Sequence, residues 1–388
     1  MTQSKTKAKP NILFLFSDTG GGHRSAAEAI IEALELEFPD QCTCEMVDFF
    51  TSYAPPPFNT AASTYAPMAQ IPDVWEFGYK ISNGKMRARI VQKILWPYVR
   101  KSITRLVEEH PCDLFISVHS VINIPLLHGL PKDRKPYMTV VTDMVSTHAF
   151  WYSKMSDVMF LPTQEALQRG ITIGLDPSKM YVVGLPVADR FCRPSKNRNT
   201  IRKKLGWPSD MPIAIMVSGG EGMGPLEETV QAIFEAEVPV CLVIIAGKNQ
   251  ALKTKLEALD SKYPAFVYGF VTEMSDFMQA ADIIVTKAGP GTISEAFIAG
   301  LPIILYSRMP GQEDGNVDYV VNHGAGVWAP GPQEVVATLT QWVDDPDARK
   351  KVAETSKSLA KPQASRQIAR YAMAMLGKLD YKKVGLTE

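Results

Sequence analysis

The 388-residue sequence lacks several features, and each shortage removes a class of function. Its five cysteines are an odd number with no CxxC pair, so neither a disulfide framework nor a paired-cysteine zinc site fits. Cys42 and Cys44 flank a single threonine and would share a strand face without closing a metal loop. Thiols buried in a reducing compartment are the expectation. Net charge is also missing: 41 Lys+Arg balance 41 Asp+Glu, which leaves no global basic field for nucleic acid. No apolar run approaches the ~20 residues of a membrane-spanning helix. The longest, Val238–Gly247, is about half that. Met1–Pro10 is basic and polar, and reads as neither a secretory signal nor a transit peptide. Disorder is excluded by the 46% hydrophobic content. There is no GxxxxGK[ST] phosphate loop, no internal repeat and no low-complexity tract.

What is present is an alternation of short apolar runs with helical patterns. One series of candidate strands comprises Asn11–Phe16, Cys44–Phe49, Asp113–Val118, Tyr137–Thr142, Asp157–Leu161 and Met180–Val183. A second comprises Ile213–Ser218, Val240–Ala246, Ala265–Tyr268, Asp282–Thr286 and Pro302–Tyr306. Continuous Val/Ile/Leu runs mark strands covered on both faces, as in a parallel sheet. Stretches such as Arg24–Glu37, Leu226–Glu237 and Thr292–Ala299 supply crossover helices. The expected fold is α/β, with two doubly wound Rossmann-like units at 1–187 and 201–360. A linker at 188–200 joins them, and 361–388 forms a C-terminal helix packing back toward the first unit. Two such units leave a cleft facing the carboxyl ends of both sheets, where open α/β sheets bind ligands.

Three glycine loops each follow a strand and open a helix: Ser17–His23, Ser218–Pro225 and Thr286–Thr292. Glycine allows close backbone approach, and a helix N-terminus offers free N–H groups to an anion. One such loop is as readily a plain tight turn; two in the same half point to a shared diphosphate. Gly20-Gly21-Gly22-His23-Arg24-Ser25 half-matches the dinucleotide fingerprint GxGxxG, with Asp48 near where a ribose-binding acid would stand. His23 is the departure. A histidine there can brace the loop, or it can take a proton from an alcohol attacking an electrophile. His119 and His148 lie past strand ends and could line the same cleft. Gly311–Asn316 collects Gln, Glu and Asn suited to sugar hydroxyls, or else begins a polar helix. Asp345-Pro346-Asp347 imitates a metal-binding DxD but reads as a turn and helix cap, and no metal site is expected.

Taken together, SDTGGGHRSAAEAI, DLFISVHS, VVTDM followed by HAFWY, YVVGLPV, SGGEGMGP, YGFVTEM, TKAGPGTISEA, GLPIIL and GQEDGNVDYVV resemble the monogalactosyldiacylglycerol synthases of glycosyltransferase family 28. The matching stretches span residues 11 to about 325 in the family's order. The resemblance implies the glycosyltransferase-B fold and an inverting transfer of galactose from UDP-galactose to the free hydroxyl of 1,2-diacylglycerol, with no metal cofactor. It implies that His23 is the catalytic base. Gly22, Gly219, Gly220, Glu221, Gly222 and Gly224, with Ala288, Gly289, Pro290, Gly291 and Thr292, would surround the UDP-sugar diphosphate. Gly269, Phe270 and Val271 would border the uracil, and Gln312, Glu313 and Asn316 would address sugar and ribose. His148 and Trp151 would lie near acceptor and membrane. Ala188 and the segment Thr51–Ser82 depart from the family pattern.

Between Lys80 and Val107 the chain carries eight Lys/Arg, among them Lys85, Arg87 and Lys93, and no Asp or Glu. Trp96 and Tyr98 are interleaved. The stretch reads as a docking surface for anionic membrane lipids, or as a solvated helix with Met86, Ile90 and Ile94 turned to the core. The basic residues are not expected on a single helix face. The expected placement is a peripheral membrane protein of bacterial type at the cytoplasmic face. Three other functions remain open on the residues: a UDP-glucose-dependent diacylglycerol glucosyltransferase, an NAD-type oxidoreductase built on Asn11–Phe49, and a non-catalytic nucleotide-sugar sensor.

Overall fold

The computed structural model describes residues 8–18, 21–56, 58–60, 72–194, 196–217 and 225–386, with the side chains of 72–75, 85 and 89 left aside. Two six-stranded sheets form the frame, and every strand pair in both is parallel. The first contains β1 (Asn11–Phe16), β2 (Thr43–Asp48), β3 (Leu114–Ser117), β4 (Tyr137–Val140), β5 (Val158–Leu161) and β6 (Met180–Val182), in the order β2-β1-β3-β4-β5-β6. The second contains β7 (Ile213–Val217), β8 (Cys241–Ile245), β9 (Ala265–Tyr268), β10 (Ile283–Lys287), β11 (Ile303–Ser307) and β12 (Gly326–Trp328), in the order β12-β11-β10-β7-β8-β9. The apolar runs foreseen as central strands are buried on both faces: Ile12 through Leu15 and Ile213 through Met216 are wholly inaccessible, whereas the edge strands β2 and β9 are mostly half-buried. β12 was not foreseen. A Cβ on Gly326 would fall 2.1 Å from the Ile303 carbonyl oxygen, so this edge strand pairs through a glycine that hides its strand character.

The helices that position the cleft are α1 (Gly22–Glu37), α2 (Pro72–Ser82), α3 (Lys85–Glu109), α4 (Leu226–Glu235), α5 (Pro290–Ala299), α6 (Asp314–Asn322) and α7 (Ala364–Met375). In each sheet the strand order reverses once, between β1 and β3 and between β7 and β10, and such a reversal opens a ligand crevice. The loop carrying His23 follows β1. The loops 218–224 and 288–292 follow β7 and β10. The described parts of the first and third glycine loops therefore stand at switch points, while 218–224 lie outside the described residues.

The chain crosses between the halves near Gly184 and again near Lys361. Gly184 has φ 97°, and a Cβ there would come within 2.3 Å of the Lys361 Cβ, so the two crossings touch where only glycine fits. α7 lies along α1 on the first half: Arg370 Nε and Nη2 each donate to the Glu37 carboxylate at 2.6 Å, and Arg366 reaches Asp189 at 2.6 Å. All five thiols are free; Cys241 is buried and the other four are only half-buried, which corrects the expectation of burial for all five. Among the described residues no helix is long and apolar enough to cross a membrane.

Candidate active site

His23 sits in the first turn of α1, brought there by Gly21, whose φ of 73° turns the chain out of β1 into the helix. Its Nδ1 lies 2.8 Å from the Val118 carbonyl and 2.8 Å from Thr142 Oγ1. A carbonyl only accepts, so Nδ1 carries the hydrogen and Nε2 keeps the lone pair. Three strand ends thus hold one ring: β1 presents it, and the segments after β3 and β4 grip it. Burial holds the His23 pKa below its ordinary value near 6.5, while the Asp143 charge and the Val118 bond push it back up. The net direction is downward, toward a neutral ring able to accept a proton.

His119 packs against it, ring centroids 4.6 Å apart, and burial drives its own pKa well below the usual histidine value. Trp151 lies 6.3 Å from His23, wholly buried, and its indole N–H donates to Asp143 Oδ2 at 2.7 Å. Asp143 Oδ1 accepts from Gln312 Nε2 at 3.2 Å, across the cleft. His148 has both nitrogens engaged: Nδ1 accepts from the Phe150 N–H at 3.1 Å, and Nε2 lies 3.1 Å from Ser82 Oγ. Burial, reinforced by Arg169, pushes its pKa down to about 4. It braces the loop that carries Trp151. Tyr79 of α2 completes this wall. Its hydroxyl donates to the Ser146 carbonyl, and its ring lies where a Cβ on Gly311 would meet it at 3.1 Å.

Across the cleft, Gly219, Gly220, Glu221, Gly222 and Gly224 lie outside the described residues. At the other switch point the loop into α5 is narrower as a cradle than expected. The Ala288 N–H is spent on the Ser307 carbonyl at 2.8 Å and that of Gly289 on Lys287 at 2.7 Å, and Pro290 has none. The amides of Gly291 and Thr292, in the first helical turn, have no acceptor within the helix. Gly22 takes the same kind of position at the start of α1. Gly269, Phe270 and Val271 follow β9, and Phe270 is 64% exposed at the rim.

The Gln312–Asn316 cluster divides. Glu313 is buried, its Oε1 2.7 Å from Lys287 Nζ and its Oε2 accepting from the Met309 N–H at 2.7 Å. Asn316 is buried too: Oδ1 accepts from the Val145 N–H at 3.2 Å and Nδ2 donates to the Ala288 carbonyl at 2.9 Å. Asn316 thus ties both halves to the α5 loop, while Gln312 reaches Asp143.

Other residues singled out from the sequence resolve into structure. Asp48 caps the turn after β2, accepting from Phe50 N–H at 2.9 Å and from the Thr51 hydroxyl at 3.0 Å. That removes the ribose-binding acid a dinucleotide site would need. Asp345 caps the next helix, accepting from the Ala348 N–H at 2.9 Å. Among the described residues no group of three or more His, Cys, Asp or Glu stands close enough to hold a metal ion.

Along α3, Met86 (74%), Ile90 (53%), Ile94 (62%) and Tyr98 (66%) are exposed rather than turned inward. Arg87, Lys93, Arg100 and Lys101 are exposed on the same side, within an arc of about 160° at 100° per residue. Burial of Ala88, Val99, Ile103 and Leu106 leaves an outward arc for these residues. Lys80 belongs to α2, so the arc gathers part of the basic stretch and not all of it. The Lys85 side chain lies outside the described set.

Asp143, Thr142 and Lys287 were missed by sequence reasoning, as was Glu295, whose carboxyl burial pushes up to about 7. The available signal was position: Asp143 and Thr142 follow a buried strand in the loop bearing His148 and Trp151, Lys287 lies within the third glycine loop, and Glu295 lies in the helix that loop opens.

A family model described as monogalactosyldiacylglycerol (MGDG) synthase matches residues 23–187, and the glycosyltransferase family 28 C-terminal domain matches 214–370. The chain is 36% identical over 377 residues to monogalactosyldiacylglycerol synthase 3, chloroplastic, of Arabidopsis thaliana, covering 94% of this chain and 81% of that protein. It is 36% identical over 366 residues to synthase 1, chloroplastic, of the same plant, covering 91% and 68%. Among solved structures, MurG of Acinetobacter baumannii aligns with a TM-score of 0.62 at 15% identity, over 94% of this chain and 99% of that one. The UDP-GlcNAc 2-epimerase of Neisseria meningitidis, bound to UDP-GlcNAc, aligns at 0.59 and 13%, over 95% and 100%. These likenesses establish the glycosyltransferase-B architecture. The relatives also correct one expectation: they are chloroplastic by name, so placement as a bacterial-type protein at the cytoplasmic face has no support.

Proposed function

The chain belongs to the monogalactosyldiacylglycerol synthase family, and we propose that its cleft carries out galactose transfer from UDP-galactose to the free hydroxyl of 1,2-diacylglycerol by one inverting displacement. The observation that carries this reading is the tautomer of His23: Nδ1–H is committed to Val118, which leaves Nε2 as the proton acceptor. The acceptor hydroxyl gives its proton to Nε2 as its oxygen bonds to the anomeric carbon from the face opposite the diphosphate. The bond from that carbon to the β-phosphate oxygen breaks, and UDP leaves with the electron pair.

The half around residues 201–360 holds the nucleotide. The first-turn amides of Gly291 and Thr292, with Lys287, face the growing charge on the leaving group, and the family pattern assigns Gly219, Gly220, Glu221, Gly222 and Gly224 to the same diphosphate. Gly269, Phe270 and Val271 border the uracil. Gln312 addresses the sugar, and Glu313 and Asn316 act by fixing the loop around it. The half around 1–187 brings the lipid, with 361–388 returning to it. Lys85, Arg87 and Lys93, with the apolar ridge of α3, dock on an anionic bilayer, each cation contributing roughly 1 kcal/mol. His148 and Trp151 serve the acceptor side of the cleft.

The test is product identification. The purified protein is incubated with diacylglycerol vesicles and either UDP-galactose or UDP-glucose. The reading expects a β-linked galactolipid, with UDP and not nicotinamide nucleotides protecting the protein against heat. An α-linked product, a glucolipid alone, or protection by NAD alone would overturn it.

A further inference from the structure

We infer that Asp143 is a positioning residue for the transfer: its buried carboxylate, held by Trp151 and Gln312, stands ready for the positive charge His23 acquires from the acceptor proton. The inference rests on His23 being the base. Asp143 is 7% exposed, and its hydrogen bonds come from the Trp151 indole at 2.7 Å, the Gln312 amide at 3.2 Å and the His148 backbone N–H at 3.4 Å. None of these donors is a cation. A carboxylate buried among neutral donors is costly unless a positive charge forms beside it.

The adjoining residue, Thr142, touches His23 Nδ1, and the field of Asp143 already favours the protonated ring. The other titratable groups around the pair are His119, His148, Tyr79, Tyr152 and Arg169, with Asp314 acting on Tyr79, and Asp143 is the acid whose charge acts on His23. During transfer the proton moves from the hydroxyl oxygen to Nε2, and the imidazolium is stabilised while Asp143 stays a carboxylate. The proton then passes to water. Gln312 belongs to the opposite half, so the carboxylate is fully held only while the cleft is closed.

The test is the pH profile of kcat/KM for the full chain on diacylglycerol vesicles, in the wild type, Asp143→Asn and His23→Ala. Removing the charge weakens the base. The acid limb of Asp143→Asn is expected to move to lower pH by about one unit or more, and the plateau kcat to fall by ~10–100-fold. KM for UDP-galactose stays within a few-fold. An Asp143→Asn protein that binds UDP and keeps its acid limb in place would overturn the inference. A His23→Ala protein with full turnover would overturn the base assignment instead. Should the Asn variant not fold, Trp151→Phe carries the test: losing a donor concentrates charge on Asp143, and the acid limb rises by a few tenths of a unit or more. An unmoved limb in that variant refutes the role.

Discussion

Replacing Ile90 and Ile94 together by serine separates an apolar membrane contact from an electrostatic one. Both side chains are more than half exposed on α3, at 53% and 62%, so a bilayer has that much apolar surface left to cover. Fully burying an isoleucine is worth roughly 1.5–3 kcal/mol, so about half of that from each gives roughly 1.5–3 kcal/mol for the pair. In a partition constant this is about 10- to 150-fold. The assay is sedimentation with vesicles containing diacylglycerol and phosphatidylglycerol, at low and high salt. The serine pair should weaken binding at both. Arg87→Glu with Lys93→Glu should weaken it mainly at low salt, where cations near an anionic surface act unscreened. Outward positions have little to do with folding, so thermal stability and UDP binding should hold in both. Unchanged sedimentation of the serine pair would refute the apolar ridge as a lipid contact.

Two further perturbations address the cleft and its wall. A Cβ on Gly315 would meet Ser146 Oγ at 2.7 Å and Val145 Cγ1 at 2.8 Å, so Gly315→Ala wedges the halves apart. It should raise KM for UDP-galactose several-fold, in line with an overpacking cost of about 1–3 kcal/mol; an unchanged KM would show that the closed contact is dispensable. His148 titrates at about 4 in the fold against an ordinary 6.5, so below that ordinary value the unfolded chain takes up more protons. Stability from this residue is lost as the pH falls through that window, by about 3 kcal/mol. Glu295, raised to about 7, acts in the opposite sense as acid is added. Comparing urea midpoints of the wild type and His148→Gln across the window isolates the histidine; parallel curves would contradict its assigned burial.

The frame was legible because parallel strands buried on both faces are written as unbroken apolar runs, and glycine loops mark their exits. β12 escaped because Gly326 must approach the Ile303 backbone and so carries no apolar signal. The site was legible at His23, whose place after a glycine turn is local in sequence. It was not legible at Asp143, whose meaning comes from Gln312 in the other half and from Trp151 folding back on it. Glu313 and Asn316 looked like ligand-facing polar groups, and their burial in bonds to Met309, Lys287, Val145 and Ala288 depends on packing that no local pattern records. The face of α3 depended on which side the core took.

The most direct measurement of the central claim is turnover and UDP affinity of His23→Ala, taken side by side on diacylglycerol vesicles. Galactolipid formation should drop by ~10²–10⁴-fold while the dissociation constant for UDP stays within about two-fold, since base and nucleotide belong to opposite halves. Galactolipid formed at the wild-type rate, or UDP binding lost together with turnover, would contradict the account.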